Sequence, residues 1–337
     1  MSLRDGPKLP RYPLALIHPL GPLFRHLPLS LRRHLLFLRA FRKWGDFRNP
    51  QTWREKMQWR ILNDRRTILS VACDKLGQRV LIEREITAAG ARAFVRFPEV
   101  FWVGTDVREL RRLAARLPAR WVLKPNHSSG RVRLLDADVN PLNWEELIRA
   151  GDRWMLPDEE TNVFGHSGYA GARRLLIAEE RVGSGADAPD DVRITCFDGK
   201  IYVSTWSRAY GTLAHKTVSY LGDLKTRVTL MPSQTLTQDQ ETTIDAMSQD
   251  QRDQLTRAAE LISQLMDHVR VDFYIEPKTI WFSELTVYST SGLASIMDSE
   301  NRVAGRLWQL PDLSTPDPRE AEWRGLLQGT PKGTLQK

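Results

Sequence analysis

Cysteine is scarce in this chain. Cys73 and Cys196 are the only two, with no C-x-x-C pair and no histidine pair close by. A disulfide framework and a zinc site are therefore not expected, and a reducing cytoplasm is the natural compartment. Long apolar runs are missing too. None reaches the roughly 18 residues that a membrane-spanning helix needs. The N-terminus has no compact apolar segment closed by small residues, so no secretory leader is expected. Internal repeats are absent, and so is the G-x-x-x-x-G-K-[ST] order of a Walker phosphate loop. The excess of one charge sign is modest: 49 Lys and Arg against 41 Asp and Glu, a net charge of +8. That balance suits a polyanionic ligand such as a nucleotide, an acidic glycan or an anionic membrane surface. It is too small and too dispersed to indicate nucleic acid.

What is present is ordinary for a soluble globular enzyme: 337 residues, 41% apolar and 27% charged, enough for two or three packed lobes. In the first 45 residues many leucines, from Leu16 to Leu38, alternate with Arg25, Arg32, Arg33, Arg39, Arg42 and Lys43. From Leu29 to Trp44 the apolar spacing is helical and the opposite face basic. Such a helix fits either an anionic membrane interface or a packed helix with a solvated basic face. Thr52, with Glu55 three residues on, predicts a capping box that opens a helix through Trp59 and Leu62. A third helix carries Val71, Leu76, Val80 and Leu81. Short extended segments follow over residues 92–103, then an Arg-rich helix over 107–117. From Trp121 strands and turns take over: 120–125, 175–182, and a hairpin of 191–197 and 200–206 around Asp198-Gly199. Gln251 to Met266 is an amphipathic helix with Leu255, Ala258, Ala259, Ile262, Leu265 and Met266 in one stripe. After Leu310 the chain is rich in Pro, Gly and charge, and the last ~15 residues are expected to be disordered.

Three segments carry candidate chemistry. In Val269-Arg270-Val271-Asp272-Phe273-Tyr274-Ile275, Arg270 and Asp272 are two apart and share one face of a strand. After a turn through residues 276–279, Glu284 and Thr286 share a face of the next strand. The even separation of Asp272 and Glu284 lets a hairpin with an odd-length loop set them opposite each other, and Arg270 opposite Thr286. Val271, Phe273, Ile275, Trp281 and Leu285 are then expected on the core face. Two facing carboxylates suit Mg²⁺, which takes one or two protein carboxylates plus phosphate oxygens. Arg270 beside them can hold a phosphoryl group or an oxyanion. The second segment, Val122-Leu123-Lys124-Pro125-Asn126-His127-Ser128-Ser129-Gly130, puts a lysine at a strand end before a small-residue loop, a plausible phosphate clamp. The third, Leu176 to Val182, is an apolar strand ending in Glu179 and Glu180, with Asp191 soon after. It can offer backbone groups to an adenine and a carboxylate to ribose hydroxyls.

The order of these segments resembles the ATP-grasp superfamily. More narrowly, Asn49-Pro50-x-Thr52-Trp53-x-Glu55-Lys56-x-Gln58-Trp59, Asp74-Lys75, Leu123-Lys124-x-Asn126-His127-x-Ser129-Gly130, Phe197-Asp198-Gly199-Lys200 and Arg270-Val271-Asp272-Phe273-Tyr274 resemble its TupA-like, teichuronopeptide-synthesis branch over residues 30–310. The resemblance implies an α+β fold of two lobes gripping ATP. The divisions expected are a basic helical extension (1–48), an N-terminal lobe (49–118), a small lobe (119–182), a large lobe with the metal site (183–311) and a flexible tail (312–337). It implies that Lys124 contacts the α/β-phosphates and adenine edge. His127, Ser128, Ser129 and Gly130 would form the loop over the phosphates, and Lys75 would reach the same site. Glu179 to Val182 would be the adenine hinge, with Glu180 or Asp191 on the ribose. Asp272 and Glu284 would bind Mg²⁺, with Thr286 where many ATP-grasp enzymes have Asn. Arg270 would stabilise an acyl phosphate, and Arg208, His215 and Lys216 would face the acceptor or γ-phosphate. The implied activity is ATP-dependent amide formation between a carboxylate, on a sugar acid or an amino-acid chain of a surface polymer, and an amine such as an amino acid. Competing classes are a polysaccharide-locus glycosyltransferase, a glycan-binding protein and an ATP-grasp kinase, separated by the product formed. The sequence leaves the oligomeric state open.

Overall fold

A computed structural model describes residues 24, 26–157, 163–183, 189–209, 215–232, 241–276 and 279–328. Helix α1, Leu29–Phe41, lies where the apolar spacing predicts it and ends on Arg42 in the left-handed region (φ 57°). It buries Leu36 and Phe37 together with Arg33, so its basic residues are not all on the outward side. Arg33 is fully buried and donates to the Gln58 side chain and to Ser291. Helix α2, Trp53–Asn63, opens on the expected capping box: the Thr52 hydroxyl accepts from the Glu55 N–H, and the Glu55 carboxylate accepts from the Thr52 N–H.

The expected third helix is two helices, α3 (Thr67–Cys73) and α4 (Lys75–Ala88), broken at Asp74. Asp74 leaves the helical region (φ −94°, ψ 105°), and its carboxylate caps α4 by accepting from the Gly77 N–H. Strands β1 (Val95–Arg96) and β2 (Val100–Gly104) come next, and the Arg-rich stretch forms α5 (Val107–Arg112) with a 3₁₀ turn after it. Strands β3 (Arg120–Pro125) and β4 (Arg133–Asp136) precede α6 (Trp144–Trp154), a short α7 (Ser167–Gly171) and β5 (Leu176–Glu180). Then come β6 (Asp191–Phe197), β7 (Lys200–Arg208), β8 (Lys216–Leu221), β9 (Arg227–Val228) and α8 (Gln249–Ser263). The chain continues through β10 (His268–Glu276), β11 (Thr279–Thr286) and α9 (Asp298–Leu307). Part of the stretch expected to be a flexible tail is a helix, α10 (Glu320–Leu327), seated by Trp323, which is 2% exposed. Residues 329–337 lie outside the described residues, as do 1–23 of the N-terminal extension.

The strands make two sheets. One has seven strands in the order β1-β11-β10-β6-β7-β8-β9; the other has four, β2-β5-β3-β4. The segment 49–118 is divided between them, because β1 joins the large sheet and β2 the small one. Helices α2 to α4 and α8 share one apolar core with the large sheet, including Met57, Ile61, Leu81, Leu255, Ile262, Val271 and Phe273. A separate core under the small sheet gathers Trp102, Leu110, Trp121, Leu123, Leu147 and Trp154. In the large sheet, alternation sends Val192, Ile194, Val271 and Phe273 to the core and Asp191, Arg193, Arg270 and Asp272 to the opposite face.

The base of β10 is tied down by buried charge. Asp267 accepts from Arg60 of α2, from Arg66 and from the Trp308 indole, each at 2.6 Å. Burial alone would raise the Asp267 carboxyl, but Arg60 and Arg66 outweigh it and bring it down to about 2. A carboxyl lowered on folding stabilises the folded state above its unfolded value and loses that contribution as pH falls through the folded value. Asp267→Asn is therefore expected to cost about 2 kcal/mol at neutral pH. It should also flatten the loss of stability between about pH 4 and pH 2, as chemical denaturation across pH would show.

Candidate active site

The hairpin of β10 and β11 places the charged residues. Arg270 pairs with Thr286, Val271 with Leu285 and Asp272 with Glu284, in the register expected from the sequence. The route to that register differs. Glu276 pairs with Thr279 across a two-residue connection, and the odd step comes from Ser283, which bulges out between the Asp272–Glu284 and Phe273–Phe282 pairs. Residues 277–278 of the expected turn lie outside the described residues. Past the bulge the faces exchange. Phe282 joins the core, and Trp281 pairs with Tyr274 on the polar side instead of facing the core as the sequence suggested.

On that polar face Arg270 grips Asp272 with a two-toothed contact, Nε to Oδ1 at 2.7 Å and Nη2 to Oδ2 at 2.5 Å. It also donates to the Thr286 hydroxyl at 3.0 Å. Thr286 thus sits beside the carboxylate pair with its oxygen accepting from Arg270. Strand β6 adds Asp191 opposite Tyr274 and Arg193 opposite Asp272, with Arg193 donating to Asp191 at 2.7 Å. Arg193 is not among the candidate residues named from the sequence. Its signal was there: Asp191-x-Arg193 repeats, in reverse, the acid–arginine spacing of Arg270-x-Asp272. Burial raises the Asp272 carboxyl above the usual carboxylate range, opposed by Arg270 and reinforced by Glu284. Burial raises Asp191 likewise. Burial would lower the Arg270 guanidinium, but Asp272, Glu284 and Asp191 hold it above its ordinary value.

Lys75, in the first turn of α4, reaches this cluster. Its Nζ lies 3.8 Å from Glu284 and donates to the Ser128 carbonyl at 2.6 Å. Asn126 fixes the loop to the helix. Its backbone carbonyl accepts from the Lys75 N–H, its side-chain oxygen accepts from the Leu76 N–H, and its amide donates to the Arg173 carbonyl. Asp74 accepts in turn from Arg173. Of the proposed loop residues, His127 turns into the small lobe, its ring Nε2 3.1 Å from the Trp154 carbonyl. Ser128 is buried, and its hydroxyl has no hydrogen-bond partner among the described residues. Ser129 is partly exposed, and Gly130 takes φ 68°, the left-handed value glycine allows.

Lys124 of β3 pairs with Glu179 of β5 inside the small sheet. Burial, with the nearby Asp191, Glu284 and Glu179 charges, raises the Tyr274 hydroxyl above its ordinary value. Glu180 accepts from the Glu99 N–H, and Val182 is buried. Of the two acids weighed for a ribose, Glu180 is therefore held against Glu99, and Asp191 lies with the hairpin cluster. Arg208 is clamped by Asp190 at 2.9 and 2.7 Å. Lys216 pairs with it across β7 and β8. His215 meets the Ser207 hydroxyl at 3.0 Å, and burial, then Arg193, lowers its ring below the ordinary histidine value.

Among the described residues no group of three or more His, Cys, Asp or Glu side chains forms a metal-holding cluster. Asp272 and Glu284 still fit Mg²⁺, which needs only one or two protein carboxylates when phosphates complete its shell. Each Asp272 oxygen given to Arg270 keeps a second lone pair. The buried Asp191 Oδ1 and Ser128 Oγ have no hydrogen-bond partner among the described residues.

Two sheets closing a lysine, a loop backbone and a carboxylate pair on one another define an ATP-grasp fold. The model of the TupA-like ATP-grasp family matches residues 55–305, and the chain belongs to that family. No curated protein matches it in sequence. Solved structures similar to it include the ATP-grasp ligase PsnB complexed with minimal precursor (14% identity, 71% of this chain and 62% of that chain, TM-score 0.34). Others are D-alanine–D-alanine ligase from Bacillus anthracis (12%, 77% and 67%, 0.39) and L-amino acid ligase from Bacillus licheniformis (12%, 75% and 48%, 0.36). The chain thus spans less than two thirds of the length of PsnB.

Because Asn126 carries the loop on α4, Asn126→Ala should leave the Leu76 N–H and the Arg173 carbonyl without these partners and cost ~1–3 kcal/mol. Faster hydrogen exchange at Leu76, with little change in the hairpin, is the expected signature.

Proposed function

We propose that the chain is an ATP-dependent carboxylate–amine ligase that forms an amide through an acyl phosphate and releases ADP. One observation carries this reading: Asp272 faces Glu284, and Arg270 faces Thr286, on one hairpin, with Lys75 reaching Glu284 from the helix that anchors the 126–130 loop. In this reading Lys124 contacts the α/β-phosphates, and Lys75 with the backbone of Ser128 to Gly130 holds the phosphate chain. Glu179 to Val182 lies along the adenine. Asp272 and Glu284 hold Mg²⁺. When bound, the ion offsets charge on the phosphates as the γ-phosphoryl group moves.

A carboxylate oxygen of the substrate attacks the γ-phosphorus, the bond to the β,γ-bridging oxygen breaks, and ADP leaves. Arg270, already aimed by Asp272 and Thr286, holds the oxygens of the acyl phosphate. An amine then attacks the acyl carbon and gives up a proton, and inorganic phosphate departs. Positioning and charge neutralisation supply most of the acceleration. The family resemblance points to a carboxylate on a sugar acid or an amino-acid chain of a surface polymer, an amino-acid amine, and a place in polysaccharide biosynthesis on the cytoplasmic side. Arg208, His215 and Lys216 border the acceptor end.

Asp272→Asn and Glu284→Gln keep size but remove charge, so each should lower ADP release by about 10²-fold or more. Glu284→Gln should change the melting temperature little, whereas Asp272→Asn takes the ion-pair partner from the buried Arg270 and should lower it as well. The double variant should lose little more, because both act through one ion. Near-normal turnover of both single variants at limiting Mg²⁺ would end this reading. Mass spectrometry of reactions with ATP, Mg²⁺, sugar acids and amino acids should find an amide; a phosphate ester would make the chain a kinase.

Lys124→Ala should weaken ATP binding by ~1.5–3 kcal/mol, the worth of a charge-assisted contact. Unchanged affinity by calorimetry, in a folded variant, would return Lys124 to its ion pair with Glu179 alone.

A further inference from the structure

Helix α1 is apolar on two sides. One side packs on the chain through Leu36 and Phe37. On the other, Leu31 and Leu38 stand outward, each 38% exposed, and their spacing of seven sets them in one line along the helix. Trp44, just past the helix and 60% exposed, stacks on His34 of the helix at 4.7 Å between ring centroids. The helix contains no acidic residue, and Arg39, Arg42 and Lys43 are exposed at its C-terminal end. No acid among the described residues pairs with the Arg39 or Arg42 side chain. Lys43 lies 3.7 Å from Asp298, with both groups more than half exposed, a contact of little strength. Asp46, the nearest acid in sequence, is turned onto the N–H groups of Arg48 and Asn49.

Single exposed leucines are normal on a protein surface. Two in line, an exposed tryptophan held by stacking and a cluster of exposed cations are a different combination. Leucines enter the acyl boundary of a lipid leaflet, tryptophan favours the headgroup level, and Arg and Lys draw anionic headgroups. A second copy of the chain on the same face would bring these cations against one another.

We propose that the outward face of α1, with Trp44, docks the protein on an anionic lipid surface. No helix among the described residues is long and apolar enough to cross a membrane, so the contact is peripheral. The proposal does not depend on the ligase reading.

The test is co-sedimentation of the full chain with phosphatidylcholine vesicles, with and without roughly 30% phosphatidylglycerol. Binding is expected only with the anionic lipid and should fall as salt rises from ~0.05 to ~0.5 M. Replacing both Leu31→Ser and Leu38→Ser should lower the partition coefficient about tenfold, and Arg39→Gln with Lys43→Gln about fivefold or more. Arg39 and Lys43 are exposed, so that pair should leave the melting temperature unchanged; the leucines are 38% exposed, so the serine pair should lower it only a little. Absent binding, equal binding to neutral vesicles, or binding indifferent to the leucine pair would overturn the proposal. So would a lipid-free dimer that the leucine substitutions dissociate while vesicles bind nothing, which would assign the face to a second copy.

Discussion

The register of β10 against β11 is the constraint on which the rest of the site depends. Side chains alternate along a strand, so a slip of one residue would send Arg270 and Asp272 into the apolar core and Val271 and Phe273 to the polar face. The extra residue at Ser283 reconciles two demands. On the outer side of the bulge, Ile280 and Phe282 must meet the core behind Ile275 and Phe273. On the inner side, Glu284 must meet Asp272. A regular hairpin with a two-residue connection could satisfy one of these demands and not both.

Charge at the cluster is arranged so that each member holds another in place. Arg270 and Arg193 lie on neighbouring strands, each tied to an acid two residues away on its own strand. Lys75 enters from outside the sheet, and its position depends on Asp74. That aspartate breaks the helix, caps the next one and accepts from Arg173, so one side chain sets where the lysine points. Such a set of buried ions is costly when any partner is missing.

Buried arginines also bind the helices to the hairpin. Arg60 donates to the carbonyls of His268 and Val287, one at the start of β10 and one just past β11. Arg33 reaches Ser291 in the turn that follows, where Thr290 and Ser291 take left-handed backbone values. Helix α1 lies outside the residues matched by the family model, yet it is seated on the loop whose Ser289 faces Arg270. Its inner side is therefore part of the scaffold of the fold, and only its outward side is left for other contacts.

The sequence by itself determined the local elements whose causes are local. The capping box at Thr52, the amphipathic stripe of α8 and the β6–β7 hairpin around Asp198-Gly199 follow from spacing and turn chemistry. The facing pairs Asp272–Glu284 and Arg270–Thr286 match their even separation, but the chain reaches that register through the bulge at Ser283. The family motifs identified the ATP-grasp fold, because several of them occur in one order. What spacing could not reach were features decided by groups distant in the chain. The break at Asp74 answers Arg173, about a hundred residues away. The two-residue turn with a bulge, in place of an odd loop, is selected by what Phe282 and Trp281 must pack against. Arg193 joins the site only because β6 lies beside β10, and Trp323 draws the expected tail onto the core. Periodicity reports which way a side chain points from its own strand or helix; which partner waits there is settled only when the sheets and helices close on one another.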